Sequence, residues 1–372
     1  MNPQPGPGVY GVPGSTPANL PPARIRDPAI DVLRGLAIVS MVAAHLSPAL
    51  EGPAPLWLRA GGSIAAPLFI LISGMMVSLS SRERGRDLGR FLRRGGQVLL
   101  AAVLVDLMVW NIYPFLSFDV LYLIALAIPL TFLTLGQSAR MRFALVLLIF
   151  LAAPFLQQHL GYADYPTEIT LLGTRAVYPH SPTGIANHWL VDGWFPIFPW
   201  LGFSILGTVL ADLRWRPRPE GDGLLTVGFN TVSFFLAGLC LAVAGSAALA
   251  RSLGDLATRG GYVELFYPPT AAYLAASVGV CLLLFFLADL LPRQAAQRPL
   301  AVLVEHSLFM YVLHLALIRY LVYTLWPEES LGAFLLVFFG MVLLMVAAGE
   351  RLGPWKRKLE NRRSKRRYAH GR

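Results

Sequence analysis

IDVLRGLAIVSMVAAHLSPAL, residues 30–50, is an apolar run carrying three ionisable groups, Asp31, Arg34 and His45. A helix that crosses a bilayer needs about 20 mostly apolar residues, so the stretch reads as a first transmembrane span. Outward from it, comparable stretches fall at about 63–80, 97–115, 118–135, 142–158, 194–212, 226–250, 270–291, 300–325 and 331–350. The third and fourth meet so closely around Pro114 that they also read as one broken hairpin. Composition agrees. Of 372 residues, 55% are hydrophobic and only 14% charged, with mean hydropathy +0.57, whereas a soluble domain carries roughly a quarter charged residues. The expected fold class is all-α, a polytopic membrane bundle of about ten helices.

Arginine placement predicts the orientation, because short cytoplasmic loops collect Lys and Arg near helix ends. Arg24 and Arg26 precede the first span, and SRERGRDLGRFLRR (81–94) separates the second from the third. Arg140 and Arg142, then Arg214, Arg216 and Arg218, then Arg293 and Arg298 flank later spans, and a basic tail follows Glu350. Every second loop is basic, which places both termini in the cytoplasm. The formal net charge of +10 is thus mostly topological and points to the anionic face of a lipid bilayer rather than to nucleic acid. Residues 1–23 are rich in Pro and Gly, lack an apolar run, and read as a disordered cytoplasmic tail rather than a signal peptide. The membrane domain is assigned to 24–350 and a basic cytoplasmic tail to 351–372.

Charge inside hydrocarbon is costly and normally faces a protein interior or a wet cavity. Arg34 and His45 are eleven residues apart, about three turns, so they share a helix face some 16 Å apart in height. Asp31 falls near the same stripe, one turn before Arg34, and can pair with it. Boundary anchoring explains each residue singly but not their common face. Imidazole is the usual general base near neutral pH. In the basic loop, Arg90 and Arg93 stand one turn apart, and guanidinium pairs suit phosphate recognition as well as topology. Cys240 and Cys281 lie inside apolar spans and read as packing. No cluster of His, Asp and Glu has metal-ligand spacing. The one long loop, about 159–193, holds Asp164, Glu168, Arg175, His159, His180, His188 and Asp192 among Tyr, Pro and Trp; a long polar loop between short connections is more often functional than decorative.

An Arg-Gly near the start of the first span, with His after ten intervening residues, resembles the acyltransferase-three superfamily of membrane acyl transferases. Arg34-Gly35 and His45 fit that pattern, and Arg90 and Arg93 fit its Arg-x-x-Arg pair. IDVLRGLAI (30–38), APLFILISG (66–74), WFPIFPWLGFSILG (194–207), YPPTAAYLAASVG (267–279) and SLFMYVLHL (307–315) resemble, in order and spacing, the bacterial heparan-alpha-glucosaminide N-acetyltransferase-like proteins. The resemblance runs from about 24 to 350 and implies an enzyme of the bacterial plasma membrane. It would move an acyl group, acetyl first among them, from cytoplasmic acyl-CoA to a carbohydrate or glycolipid acceptor outside. The eukaryotic heparan enzyme carries asparagine where this chain has His45, so a sugar hydroxyl stands beside an amine as acceptor. Arg34, Arg90 and Arg93 would hold the coenzyme phosphates, and His45 would act as general base or as acyl carrier.

The same resemblance implies an acidic residue just before the Phe-Pro of the sixth span, which assigns Asp192 a catalytic part beside His45. His188 would line the same mouth. Tyr311 and His314 share a face of the ninth span and, with Asp31, are further lining candidates. A transporter or flippase for a lipid-linked glycan is the rival reading, since intramembrane Arg and His also line transport pathways. No similarity between the two halves, of the kind transporters often show, is evident.

Overall fold

The computed structural model describes residues 27–172, 183–218, 224–253, 256, 259, 261–291, 297–326 and 330–370. The Pro/Gly-rich segment 1–23 lies outside the described residues, as do His180 of the long loop and Arg293. Twelve helices account for most of what is described. They are α1 (Pro28–Leu46), α2 (Leu56–Ser63), α3 (Ala65–Arg84), α4 (Leu88–Val105), α5 (Val120–Thr134), α6 (Ala139–Leu160), α7 (Ile197–Arg214), α8 (Val232–Ala250), α9 (Ala271–Leu290), α10 (Gln297–Glu305), α11 (Ser307–Leu317) and α12 (Leu331–His370). Beside them stands one small antiparallel ribbon, β1 (Trp215–Pro217) against β2 (Leu224–Thr226).

Local chemistry sets the helix starts. Pro28 opens α1, where its missing N–H costs nothing. The side chains of Ser138, Thr231 and Thr270 each accept from an amide three residues on, at 3.2, 3.4 and 3.2 Å, and so start α6, α8 and α9.

Every expected apolar stretch contains a helix, and the all-α polytopic reading holds. Among the described residues, eight helical segments are long and apolar enough to cross a membrane: Pro28–Ala49, Leu56–Arg84, Ala139–Leu160, Ile197–Arg214, Val232–Ala250, Ala271–Leu290, Ser307–Leu325 and Leu331–Leu352. The expected third and fourth spans fall short, because α4 opens on arginines and α5 has only 15 residues. They pack against each other as a pair, and the expected count of about ten depends on that pair. The last helix runs on unbroken to His370, well past the expected boundary at 350.

The core is built on α3, which lies against α7, α1 and α5. The α3–α7 contact brings backbones together. A methyl group on Gly74 would run into the Ser204 carbonyl oxygen, and one on Gly207 into that of Leu71. Small residues allow such approach where lipid supplies no hydrophobic drive between helices. Around this centre, α8 and α9 pair along their length, and α12 closes over α10 and α11.

One end of the bundle is tied by buried charge. Arg214, at the end of α7, reaches both carboxylate oxygens of Asp27 at 2.5 and 2.7 Å and both of Asp289 at 2.9 Å. Trp215 Nε1 also donates to Asp27, at 3.1 Å. Beside this cluster, Arg82 and Arg142 both donate to Asp212. Arginines that the sequence offers as markers of topology are therefore also the fasteners that join the ends of α1, α3, α6, α7 and α9.

Candidate active site

Arg34 and His45 lie on the unbroken helix α1, and each lines a cavity. The cavity on the arginine side holds about 440 Å³. Its walls carry Arg34, Arg84, Arg90 and Arg94, together with Glu83 and the hydroxyls of Ser73, Ser80 and Ser307. Apolar side chains, Ile72, Met76, Phe91, Val98, Leu121 and Ile128 among them, form the rest. Arg34 Nη2 donates to Ser307 Oγ at 3.2 Å, and Arg90 Nη2 to the Arg84 carbonyl at 2.9 Å. Arg93 is exposed and does not line the cavity; Arg94 stands there in its place. The signal for Arg94 was present, since positions 90 and 94 share a helix face as well as 90 and 93 do.

The cavity on the histidine side holds about 380 Å³. His45 stands in its wall with Asp106, Asp119, Glu168, Glu264 and Arg319, among the rings of Trp110, Trp194, Phe195, Tyr262, Tyr267, Phe266, Tyr311 and Tyr323. Two single π-helical turns contribute. Asp106–Trp110 closes α4 and Ile318–Val322 follows α11; they place Asp106 and Arg319 in the wall. Such turns are frequently found at functional sites. Asp119 caps α5, accepting from the Val120 amide at 2.6 Å, and is close enough to His45 for electrostatic interaction. Carboxylates and aromatic rings converging on one concave surface suit a polar, ring-shaped ligand.

The hydrogen bonds around His45 fix its tautomer. Its Nδ1 lies 2.9 Å from the Met41 carbonyl oxygen, which can only accept, so Nδ1 carries the proton. His314 is arranged alike, with Nδ1 3.0 Å from the Met310 carbonyl, and its Nε2 faces His45 Nδ1 at 3.4 Å as a second acceptor. The lone pair of His45 is therefore on Nε2. The His45 ring sits edge-on to Tyr262, Tyr311 and His314, with centroids 5.9, 6.1 and 5.1 Å away.

Of the other expected residues, Tyr311 lines both cavities. His314 stands behind His45, buried and outside either wall. Asp31 lines neither cavity. Asp192 and His188 are fully buried and are not in the cavity wall. They bond one another at 2.7 Å, and the remaining partners are local: Asp192 accepts from Thr183 and the Ala163 amide, and His188 Nε2 from the Thr167 amide at 3.1 Å. Burial pushes the Asp192 carboxyl up, but these hydrogen bonds outweigh it and hold the group below its ordinary range. The pair fastens the loop that carries Trp194. Arg259 fastens the other side, donating to the Gly193 carbonyl at 3.0 Å and stacking over Tyr162, Tyr267 and Trp194.

The acidic groups of the wall are only partly satisfied. Burial pushes Glu168 up, against hydrogen bonds from Trp194 and Ser117 that pull it down. Burial pushes Glu264 up to about 7, against its own backbone hydrogen bond and the charge of Arg59, and its Oε2 has no partner among the described residues. Between 4.5, the ordinary value, and about 7, the folded chain then binds more protons than the unfolded one. Stability must fall as pH rises through that window, by on the order of 3 kcal/mol at most. Thermal unfolding in detergent from pH 5 to 8 should show the fall, and Glu264→Gln should flatten it. An equally steep fall in the variant would assign the effect elsewhere.

Among the described residues, no group of three or more His, Cys, Asp or Glu is placed to hold a metal ion. A family model described as the heparan-alpha-glucosaminide N-acetyltransferase catalytic domain matches residues 26–250, more than half of the chain. Among curated proteins, none matches it.

Proposed function

The chain belongs to the heparan-alpha-glucosaminide N-acetyltransferase catalytic family, and from that premise we propose that it transfers an acyl group, acetyl in the first instance, from acyl-CoA to a sugar hydroxyl or amine. The observation that carries the reading is the pair of cavities that meet. Both include Phe69, Ile124 and Tyr311 in their walls, with arginines beyond the meeting point on one side and His45 on the other.

Coenzyme phosphates are held by Arg34, Arg90 and Arg94, and the apolar stretch beyond them takes the pantetheine arm. The roughly 16 Å rise from Arg34 to His45 is comparable with that arm's length. At the meeting point the acceptor, held among Asp119, Glu168 and the rings of the second cavity, attacks the thioester carbonyl. His45 Nε2 takes its proton, and the carbon–sulfur bond breaks. The leaving thiolate then takes that proton. Asp119 favours the transient imidazolium, as a carboxylate near a catalytic histidine does. In this reading the arginine side faces the cytoplasm, both termini with it, and the acceptor is an extracytoplasmic or lipid-linked glycan of a bacterial plasma membrane. The Arg34-Gly35 to His45 spacing supports a common layout with the acyltransferase-three superfamily.

The test uses purified protein in nanodiscs with acetyl-labelled coenzyme A, and methyl glucoside and methyl glucosaminide as hydroxyl and amine acceptors. Label should appear on one of them. No coenzyme binding and no transfer would return the chain to the transporter reading. Hydrogen bonds to charged groups contribute about 1.5–3 kcal/mol, so Arg34→Gln and Arg94→Gln should each weaken acetyl-CoA binding by roughly tenfold or more. Titration calorimetry reads this directly, and unchanged affinity in both variants would move the coenzyme away from this cavity.

A further inference from the structure

Among the described residues, Tyr311 is the one polar side chain common to both cavity walls. It is buried, 3% exposed; its hydroxyl makes no hydrogen bond of full geometry among the described residues, and the carboxylate that it faces is that of Asp119. A buried hydroxyl left unpaired costs free energy, and such exceptions in native structures call for an explanation such as a ligand or a catalytic part. The ring itself is firmly held. It sits edge-on to His45, with centroids 6.1 Å apart and planes at 85°, and edge-on to His314 at 5.3 Å and 87°. The backbone around it is the middle of α11, where Met310 O also fixes the His314 ring. A donor aimed in advance by packing, with only the contact to Asp119 to exchange, is what stabilises charge that develops only in a transition state.

We propose that the Tyr311 hydroxyl is a catalytic residue, the hydrogen-bond donor to the oxyanion formed when the acceptor attacks the thioester. This rests on the acyl-transfer reading above. Attack on the carbonyl carbon puts the electron pair of its π bond on oxygen. The Tyr311 O–H donates to that oxygen without transferring its proton, His45 Nε2 holds the proton from the acceptor, and collapse of the intermediate expels the coenzyme thiolate. Position selects Tyr311 over the other donors of the wall. Arg319, Tyr262, Tyr267 and Tyr323 line only the histidine-side cavity, whereas the thioester, arriving from the arginine side, must be attacked where the two cavities meet.

Tyr311→Phe isolates the hydroxyl, because it keeps the ring and its contacts with both histidines. Loss of one such donor lowers turnover by roughly 100-fold or more, so kcat should fall by about that factor while KM for acetyl-CoA and its binding affinity stay within about threefold. Acetyl-dithio-CoA, whose carbonyl oxygen is replaced by a weakly accepting sulfur, supplies the second readout. Wild type should lose most of its advantage on that substrate, and Tyr311→Phe should lose little more. An active wild type with an unimpaired Tyr311→Phe variant, or an equal loss in both proteins on the dithioester, would overturn the role of the hydroxyl alone. A wild type that transfers no label from acetyl-CoA to either glycoside would overturn the acyl-transfer reading first, and this inference with it.

Discussion

His45→Gln should lower acyl transfer by about three orders of magnitude while leaving acetyl-CoA binding within twofold. Both halves follow from geometry. The Nδ1 proton of His45 is engaged by the Met41 carbonyl at 2.9 Å, with His314 Nε2 beyond it at 3.4 Å. The ring therefore offers Nε2 as a base, and general base catalysis supplies typically 10²–10⁴ in rate. Glutamine preserves a polar side chain of similar reach but has no basic nitrogen. In the proposed mechanism the coenzyme occupies the other cavity, whose wall does not include His45. Single-turnover transfer and equilibrium binding separate the two effects. A variant that binds normally and transfers normally would remove His45 from the chemistry, and one that fails to bind would make it part of the coenzyme site.

The second large effect is on stability. Arg214→Met should destabilise the fold by about 3–5 kcal/mol, the usual consequence of removing one partner from a buried ion pair. Here one guanidinium satisfies two carboxylates, Asp27 and Asp289, through four hydrogen bonds of 2.5 to 2.9 Å. It also lies over the Phe229 ring at 5.2 Å. Removing it strands two negative charges at the joined ends of α1, α7 and α9. Adding Asp27→Asn and Asp289→Asn to Arg214→Met should recover part of the loss, because the uncompensated charge rather than the missing bond dominates the penalty. Unfolding temperatures in one detergent would decide it. A triple variant no more stable than Arg214→Met would mean that shape, and not charge, carries the contact.

The positions of the helices were legible because membrane spans announce themselves locally, through length and hydropathy. So was the Arg34 to His45 stripe, since a single helix fixes that relation. Tyr311 and His314 were legible as neighbours for the same reason, though nothing local distinguishes the residue in the cavity from the residue behind it. The acidic wall was legible only in Glu168, as one polar residue of the long loop, and not as a wall. Asp106 and Asp119 come from the two ends of one connection, Glu168 and Glu264 from loops nearly a hundred residues apart, and only tertiary packing brings them to His45. Asp192 and His188 show the opposite case. The family resemblance and their place near the sixth span suggested a site, yet a spacing of four along the chain lets them bond one another, and each finds a further partner in the loop. Arg93 gave way to Arg94 through a rotation of about one residue around α4, finer than a pattern of charges can resolve.

The wall formed where the two cavities meet has an electrical meaning as well. A bilayer's hydrocarbon is about 30 Å thick, but in the proposed orientation two cavities approach from opposite sides and meet at Phe69, Ile124 and Tyr311. Were both cavities filled with water, most of the membrane voltage would fall across the short stretch where they meet instead of across the whole bilayer. The full potential is worth about 2.3 kcal/mol per elementary charge for each 100 mV. Any charge that shifts at Tyr311 or His45 would then move in a concentrated field, and the energised state of the membrane would become a variable of the proposed reaction.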